Sequence, residues 1–483
     1  MSILEIQRIN LTIDMKRNHK ISILFASVLM LSLGACVTQQ YKRPAELKTD
    51  GLYRDVQSAD STNIANLPTS TLFTDPQLQF LIKEGIANNL DLKSAIERMN
   101  SAAANLRLSK DAFLPSLNLD LSATDNKQSR AALNLPSNIA IPLETQLYRA
   151  QLSTAWELDI WGKLGSAKRS ALASYLQTEA AKRAVQTQLV SSIANNYYTL
   201  LALDLQLKIT EQTLASRIKN VEAIKALKEA GIVNGAAVVQ SEANRYAAEV
   251  SIPDLKRSIR ETENALNVLL GKSAGPIART SFEAQQDYKD LQVGLSSLLL
   301  KNRPDVQQAE FAFRAAFENT NVAKTYFYPQ LTLTANGGLS SLTLENFFNN
   351  SIFYSIVGGL TQPIFNKGQN RARLATAKAA QQESFYSFQK TMLTAGSEVS
   401  NALYAYQTAV EKENSRANQI ASLEKAVDYT KELLKYSSAT NYTDVLTSEQ
   451  SLLTAQLNAV NDKLQKLQAV VNLYRALGGG WRE

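Results

Sequence analysis

The stretch AFLPSLNLDLSA, residues 112–123, returns in altered form as YFYPQLTLTANG, residues 326–337. In the first, Leu117, Leu119 and Leu121 alternate with Asn118, Asp120 and Ser122; in the second, Leu331 and Leu333 alternate with threonines. A period of two predicts a strand with one apolar and one polar face. Pro115 and Pro329 stand at the head of each run, where proline discourages the preceding residue from staying helical, so each marks a switch from helix to strand.

Two further pairs keep the same order. DIWGKLGSAKRSALA (159–173) matches PIFNKGQNRARLATA (363–377), and VVQSEANRYAAE (238–249) matches VLTSEQSLLTAQ (445–456). The offsets are 214, 204 and 207, so the chain is written twice, with extra residues between the first two blocks of the first copy.

Each copy holds a second strand. Tyr148, Ala150, Leu152, Thr154, Trp156 and Leu158 alternate with Arg149, Gln151, Ser153, Ala155 and Glu157, and Ile352, Tyr354, Ile356, Gly358 and Leu360 mark its partner. Runs of about ten residues suit tilted strands crossing a bilayer. Phe113, Trp156 and Trp161 flank one pair, and Tyr326, Phe327, Tyr328 and Phe365 the other, in the pattern of an interfacial aromatic girdle. Aromatic residues serve ordinary cores as well.

Around the strands the period is helical. Leu203, Leu207, Leu214, Ile218 and Val221 recur at spacings of three, four and seven; Leu453, Leu457, Val460, Leu464, Leu467, Val471 and Tyr474 form a coiled-coil seam. One uninterrupted helix is expected from about 164 to 230, on the order of 100 Å long at 1.5 Å per residue. The helices alone would also suit a soluble bundle.

The only cysteine, Cys36, stands behind a basic and then apolar segment: Lys16, Arg17 and Lys20, then Ile21 to Leu33, then Gly34 and Ala35. That is the layout of a secretory signal, with Met15 as an alternative start. Leu33, Gly34, Ala35 and Cys36 resemble a bacterial lipobox, with Gly34 where Ala or Ser is commoner. The resemblance implies acylation of Cys36, and Val37 in place of Asp implies the outer membrane. An ordinary signal ending near a buried thiol is the alternative. Removing residues 1–35 takes away the sole histidine, His19, and leaves 47 basic against 42 acidic residues. No Lys/Arg cluster interleaved with aromatics points to nucleic acid.

Beyond the signal no run approaches the roughly 18 apolar residues of a membrane helix, so any crossing must use strands. Four strands cannot close a barrel, and an open edge in lipid leaves backbone groups unpaired, so the sheet must be shared between copies of the chain.

NRPDVQQAEFAFRAAFENTNVAKTYFYPQLTLTA (302–335) resembles the hallmark of the TolC-type outer-membrane factors, and VNLYRALGGGW (471–481) resembles their OprM/NodT lipoprotein branch. The likeness runs from about Tyr41 onward. It implies a mixed α and β membrane protein: a homotrimer closing a 12-stranded outer-membrane β-barrel, four strands per chain, continued by a long periplasmic α-helical barrel with an equatorial mixed region. It implies the passive exit duct of a tripartite efflux pump, partnered by a periplasmic adaptor, an inner-membrane RND-type transporter and outer-membrane lipids. The duct would carry drugs or other small amphiphilic molecules; protein secretion of type I and metal-ion efflux use the same architecture. A periplasmic coiled-coil adaptor would account for Cys36 and the heptads but not for the strands.

The expected divisions are 1–35 signal, 36–112 lipidated segment and first helices, 113–162 first hairpin, 163–272 first helix pair, 273–301 connector, 302–326 second-copy helix, 327–365 second hairpin, 366–477 second helix pair and 478–483 tail. In the family, carboxylates at the periplasmic tip face the channel axis. Asp444 falls on the first acidic position of that motif, Thr447 on the second, Gln450 where OprM-like members have arginine, and Val238 where TolC-like members place an aspartate. The resemblance therefore implies a gate of Asp444 and Thr447 with a depleted charge clamp, the simpler alternative being that Asp444 caps a helix start. Gly231 and Gly235 read as turn glycines.

Catalysis, cofactors and metal ligation find little support. No histidine remains after residue 35, the carboxylates look scattered on helix faces, and GKS at 271–273 has Leu266 where a phosphate loop needs its first glycine.

Overall fold

The computed structural model describes residues 38–44, 51–54, 63–133, 141–286, 288, 298–436 and 442–482. Cys36 and the signal segment lie outside the described residues. Two compact units, each drawn from separated stretches, make up the chain: 1–43 with 103–174 and 312–384, and 44–102 with 175–311 and 385–483.

The duplication read from the sequence is a duplication of elements. After α1 (Pro76–Asn88), the first copy runs α2 (Leu90–Asp111), β1 (Ser116–Lys127), β2 (Glu144–Leu158), α3 (Lys163–Glu229) and α4 (Gly235–Leu269). The second runs α5 (Pro304–Thr325), β3 (Gln330–Ser341), β4 (Ile352–Thr361), α6 (Gln369–Tyr436) and α7 (Tyr442–Ala476). Corresponding helices hold 22 and 22, 67 and 68, and 35 and 35 residues. Among the described helices none is long and apolar enough to cross a membrane.

Glycine stops α3, α4 and α7. At the end of α3 the Ile232 N–H donates to the Leu227 carbonyl (2.9 Å) and the Gly231 N–H to that of Lys228 (3.0 Å), with Gly231 at φ +73°. This left-handed cap satisfies carbonyls the helix would otherwise leave open. Gly235 is not a turn glycine but the first residue of α4: Asn234 makes the cap, its side chain accepting from the Ala237 N–H at 3.1 Å. Gly271, in the GKS stretch, likewise ends a helix rather than opening one, at φ +68°.

Where α4 meets α2, and α7 meets α5, the two copies build the same joint. The Asn89 Nδ2 donates to the Leu269 carbonyl (2.9 Å) while its Oδ1 accepts from the Leu92 N–H (2.9 Å), so one side chain caps both helices. Its counterpart 214 residues on is Arg303, whose Nη1 donates to the Ala476 carbonyl at 2.8 Å. A Cβ on Gly271 would lie 2.7 Å from the Asn88 carbonyl oxygen, and one on Gly478 2.5 Å from that of Asn302. Both glycines also have positive φ. Arg303 is further held by Asp305 and Glu398 (2.8 Å). Parts of the stretches that carried the family resemblance, Asn302, Arg303 and Asp305 in one and Ala476 and Gly478 in the other, thus meet in this joint.

The carboxylates are less scattered than the sequence suggested. Asp75 caps α1 by accepting from the Gln77 N–H (2.8 Å), and also accepts from the Tyr197 hydroxyl (2.9 Å), the Gln285 amide (2.8 Å) and Thr280. Burial pushes this carboxyl up, but the Thr280, Gln285, Tyr197 and Gln77 bonds outweigh it and hold it below the usual carboxylate value. Arg279 ties Asp204 and Glu263 together in the same unit.

Candidate functional site

The four strands form one antiparallel sheet in the order β1-β2-β3-β4, in which the two hairpins lie side by side. Its register aligns Leu121, Ala150, Leu339 and Ile352; then Leu119, Leu152, Gly337 and Tyr354; then Leu117, Thr154, Ala335 and Ile356. Every one of these rows lies on the same face, because side chains alternate strictly along each strand. The opposite face carries Asn118, Ser153, Asn336 and Ser355 in one row, and Asp120, Gln151, Gly338 and Phe353 in the next. A slip of one residue in any pairing would mix the two faces.

Among the described residues nothing covers the central rows of the apolar face. Leu117, Leu119 and Leu121 are 71%, 66% and 71% exposed, and Ile352, Tyr354 and Ile356 are 83%, 82% and 70% exposed. β1 and β4 each pair on one side only, so the sheet has two free edges.

Antiparallel pairing brings the start of β1, the end of β2, the start of β3 and the end of β4 to one end of the sheet, and all seven aromatics that flank the strand pairs stand there. The Trp156 Nε1 donates to the Phe113 carbonyl (2.9 Å), and the Trp161 Nε1 to the Pro329 carbonyl (2.7 Å). The rings of Trp161 and Tyr328 are 5.1 Å apart, while Phe365 is isolated and 85% exposed. Basic groups sit among them: Lys168 lies over Phe113, and Lys163 and Arg373 over Tyr326. Polar tips that reach backbone beside apolar rings suit a membrane–water boundary.

In the other unit, the ends of the two helical hairpins pack on each other through Ile224, Val238, Tyr442, Val445 and Leu446. Val238 is buried there, so a carboxylate at this position would be lost in an apolar cluster. Asp444 lies in the first turn of α7, and Asp444 and Thr447 are both exposed on the side away from Val445 and Leu446. The Thr447 hydroxyl donates to the Thr443 carbonyl (2.9 Å) within its own helix. A carboxylate in the first turn is also favoured by the helix dipole, so the capping alternative keeps its physical basis.

Sequence reasoning missed the polar links just behind this tip. The buried Arg217 of α3 donates to the Gln450 side chain of α7 (2.8 Å) and the Asn244 carbonyl of α4 (2.5 Å). Burial pulls its guanidinium below the usual value, opposed by Glu449 and Tyr442. Glu449 accepts from Asn220 (2.8 Å) and pairs with Lys431 (2.8 Å), and the Tyr442 hydroxyl donates to Ser241 (2.9 Å). Gln450, read as the loss of an arginine, therefore receives one from the other hairpin, 233 residues away.

A sheet apolar on one side and open at both edges, joined to paired long helices, defines a subunit of an outer-membrane factor. The chain belongs to the outer membrane efflux protein family, whose model matches residues 81–272 and 295–479. It is 31% identical over 474 residues to the probable efflux pump outer membrane protein TtgC of Pseudomonas putida, covering 96% of each chain. It is 30% identical over 469 residues to the cation efflux system protein CusC of Escherichia coli O157:H7, covering 94% of this chain and 98% of that one. A solved membrane protein from Pseudomonas aeruginosa superposes with a TM-score of 0.83 at 27% identity, over 92% of this chain and all of that one.

Proposed function

We propose that three copies of this chain close a 12-stranded barrel in the outer membrane and act as the passive exit duct of an RND-type tripartite efflux pump. The observation that carries this is the sheet: one predominantly apolar face, one polar face and two free edges among the described residues. An edge in lipid costs several kcal/mol for each unpaired backbone group, and pairing β1 of one copy with β4 of the next removes both edges at once. The apolar face then meets lipid and the polar face lines a lumen. The aromatic cluster marks the boundary on the periplasmic side, and an acyl anchor on Cys36 reinforces attachment. A periplasmic adaptor and an inner-membrane transporter complete the pump, since nothing in a passive tube supplies energy. No group in the duct is assigned catalysis.

At the tip, Asp444 forms a threefold acidic ring with Thr447 as a polar constriction beside it. Small amphiphilic molecules are the substrates. Soft-metal efflux is the second reading, favoured by the likeness to CusC; against it, the chain after Cys36 offers only Met99 and Met392 and no histidine as soft or imidazole ligands.

The test is a strain lacking the gene. It should retain more amphiphilic dye, with export restored by the wild-type chain and in part by Cys36→Ser. The purified protein should migrate as a heat-modifiable trimer; a water-soluble monomer that resists neither urea nor carbonate washing would defeat the proposal.

A further inference from the structure

The polar face of the sheet carries a group that a plain water-filled wall does not need. Arg149 of β2 is the sole Lys or Arg among the described polar-face positions of the four strands. One row along, Gln151, Gly338 and Phe353 stand side by side on β2, β3 and β4. A side chain on Gly338 has no room, since its Cβ would lie 2.0 Å from the Ala150 carbonyl oxygen. That gap lets Arg149 reach across β3, and its guanidinium lies over the Phe353 ring, 5.4 Å from the centroid. The Arg149 Nε and the Gln151 Oε1 are sealed from solvent without hydrogen-bond partners. Arg149 as a whole is half-buried.

Among the described residues no acid forms an ion pair with Arg149. Asp120, in the Gln151 row, accepts from the Ser153 hydroxyl at 2.8 Å, and Glu157 pairs with Lys163 at 2.9 Å. A cation whose stem is shut against the wall and whose plane rests on an aromatic ring is pre-organised: little side-chain freedom remains to be lost when a ligand arrives. Its free edge matches a carboxylate or sulfonate, and the adjoining ring offers a stacking surface.

We propose that Arg149 and Phe353, repeated around the closed barrel, form a cation–aromatic collar in the lumen that binds organic anions with a flat aromatic body on their way out. The collar rests on the lumenal placement proposed above and names a solute class that the barrel itself favours.

Calorimetric titration of the assembled full-length protein in detergent tests it, with 2-naphthoate as the probe and 2-naphthalenemethanol and octanoate as neutral and non-aromatic controls. The wild type should bind 2-naphthoate about tenfold more tightly than either control. Arg149→Gln should erase the preference over the alcohol, and Phe353→Leu the preference over octanoate. Arg149→Lys should keep part of the charge preference while losing the bidentate fit. A wild type without these preferences, or an assembled Arg149→Gln that keeps them, overturns the collar. Should Arg149→Gln fail to assemble, a Phe353→Leu protein that still prefers 2-naphthoate over octanoate overturns it equally. Pore formation in planar bilayers is scored separately: a wild type that forms no pore defeats the channel reading, whereas pores without naphthoate preference defeat the collar alone.

Discussion

The register of the sheet makes neighbouring residues of β1 respond oppositely to the same substitution. Leu119 stands in the row of Leu152, Gly337 and Tyr354 on the apolar face, whereas Asn118 stands with Ser153, Asn336 and Ser355 on the polar one. Leu119→Arg would place a guanidinium against lipid, at a cost of about 2–4 kcal/mol near the bilayer midplane. Three copies multiply this to roughly 6–12 kcal/mol per barrel, comparable with the whole stability of a typical domain. Asn118→Arg instead adds a cation to a hydrated lumen and should leave assembly intact. The assay is the fraction of protein recovered from outer membranes as a trimer that resists SDS until boiled. Leu119→Arg should fall to a small fraction of wild type and Asn118→Arg should match it. Equal recovery of the two variants, or failure of Asn118→Arg alone, would refute the assignment of the faces and with it the barrel.

Asp75→Ala should destabilise the chain by about 3 kcal/mol, because Tyr197 and Gln285 lose a charged acceptor and α1 its cap; urea unfolding in detergent would measure this. Because Asp75 titrates below its ordinary value when folded, its contribution is present above the unfolded carboxylate range and is lost as pH falls through the folded value. Acid should therefore erode the wild type more steeply than Asp75→Asn. Gly478→Ala and Gly271→Ala should each cost about 1–3 kcal/mol, through positive φ and a clash with the Asn302 or Asn88 carbonyl, and should lower the thermal midpoint to a similar degree, as circular dichroism would show. Asp444→Ala should reduce cation selectivity and divalent block in planar-bilayer recordings; unchanged values would return Asp444 to a capping role.

Alternation of period two assigned both faces of the strands correctly because the two solvents they meet, lipid and water, impose opposite chemistry on adjacent residues. Repetition made the helix lengths predictable, since α3 and α6 must match if each copy repeats one structural unit. The joints were only half visible. Residues of the second joint lie in the stretches of family likeness, but Asn89 and Arg303 differ in type, and that they cap equivalent carbonyls appears only when α4 and α7 are folded back. Arg217 and Gln450 gave no local signal, because a hydrogen bond across 233 residues leaves no periodicity. Phe353 was hidden differently: an apolar residue on the polar face of β4 reads as noise in the alternation until Arg149 is seen lying over it.

The duplicated parts and the single parts of the tip do different work. Lys225 pairs with Glu242 at 2.7 Å and Lys431 with Glu449 at 2.8 Å, equivalent bridges that tie α3 to α4 and α6 to α7 within each hairpin. The links between hairpins, Arg217 to Gln450, Asn220 to Glu449 and Tyr442 to Ser241, occur once. Their counterparts in the repeat cannot form: Leu423 stands in place of Arg217, Ala243 in place of Gln450, and Gly235 in place of Tyr442. Hydrogen bonds to a buried charge contribute roughly 1.5–3 kcal/mol each, so the bond from Arg217 to Gln450 helps hold the two hairpins of one chain together.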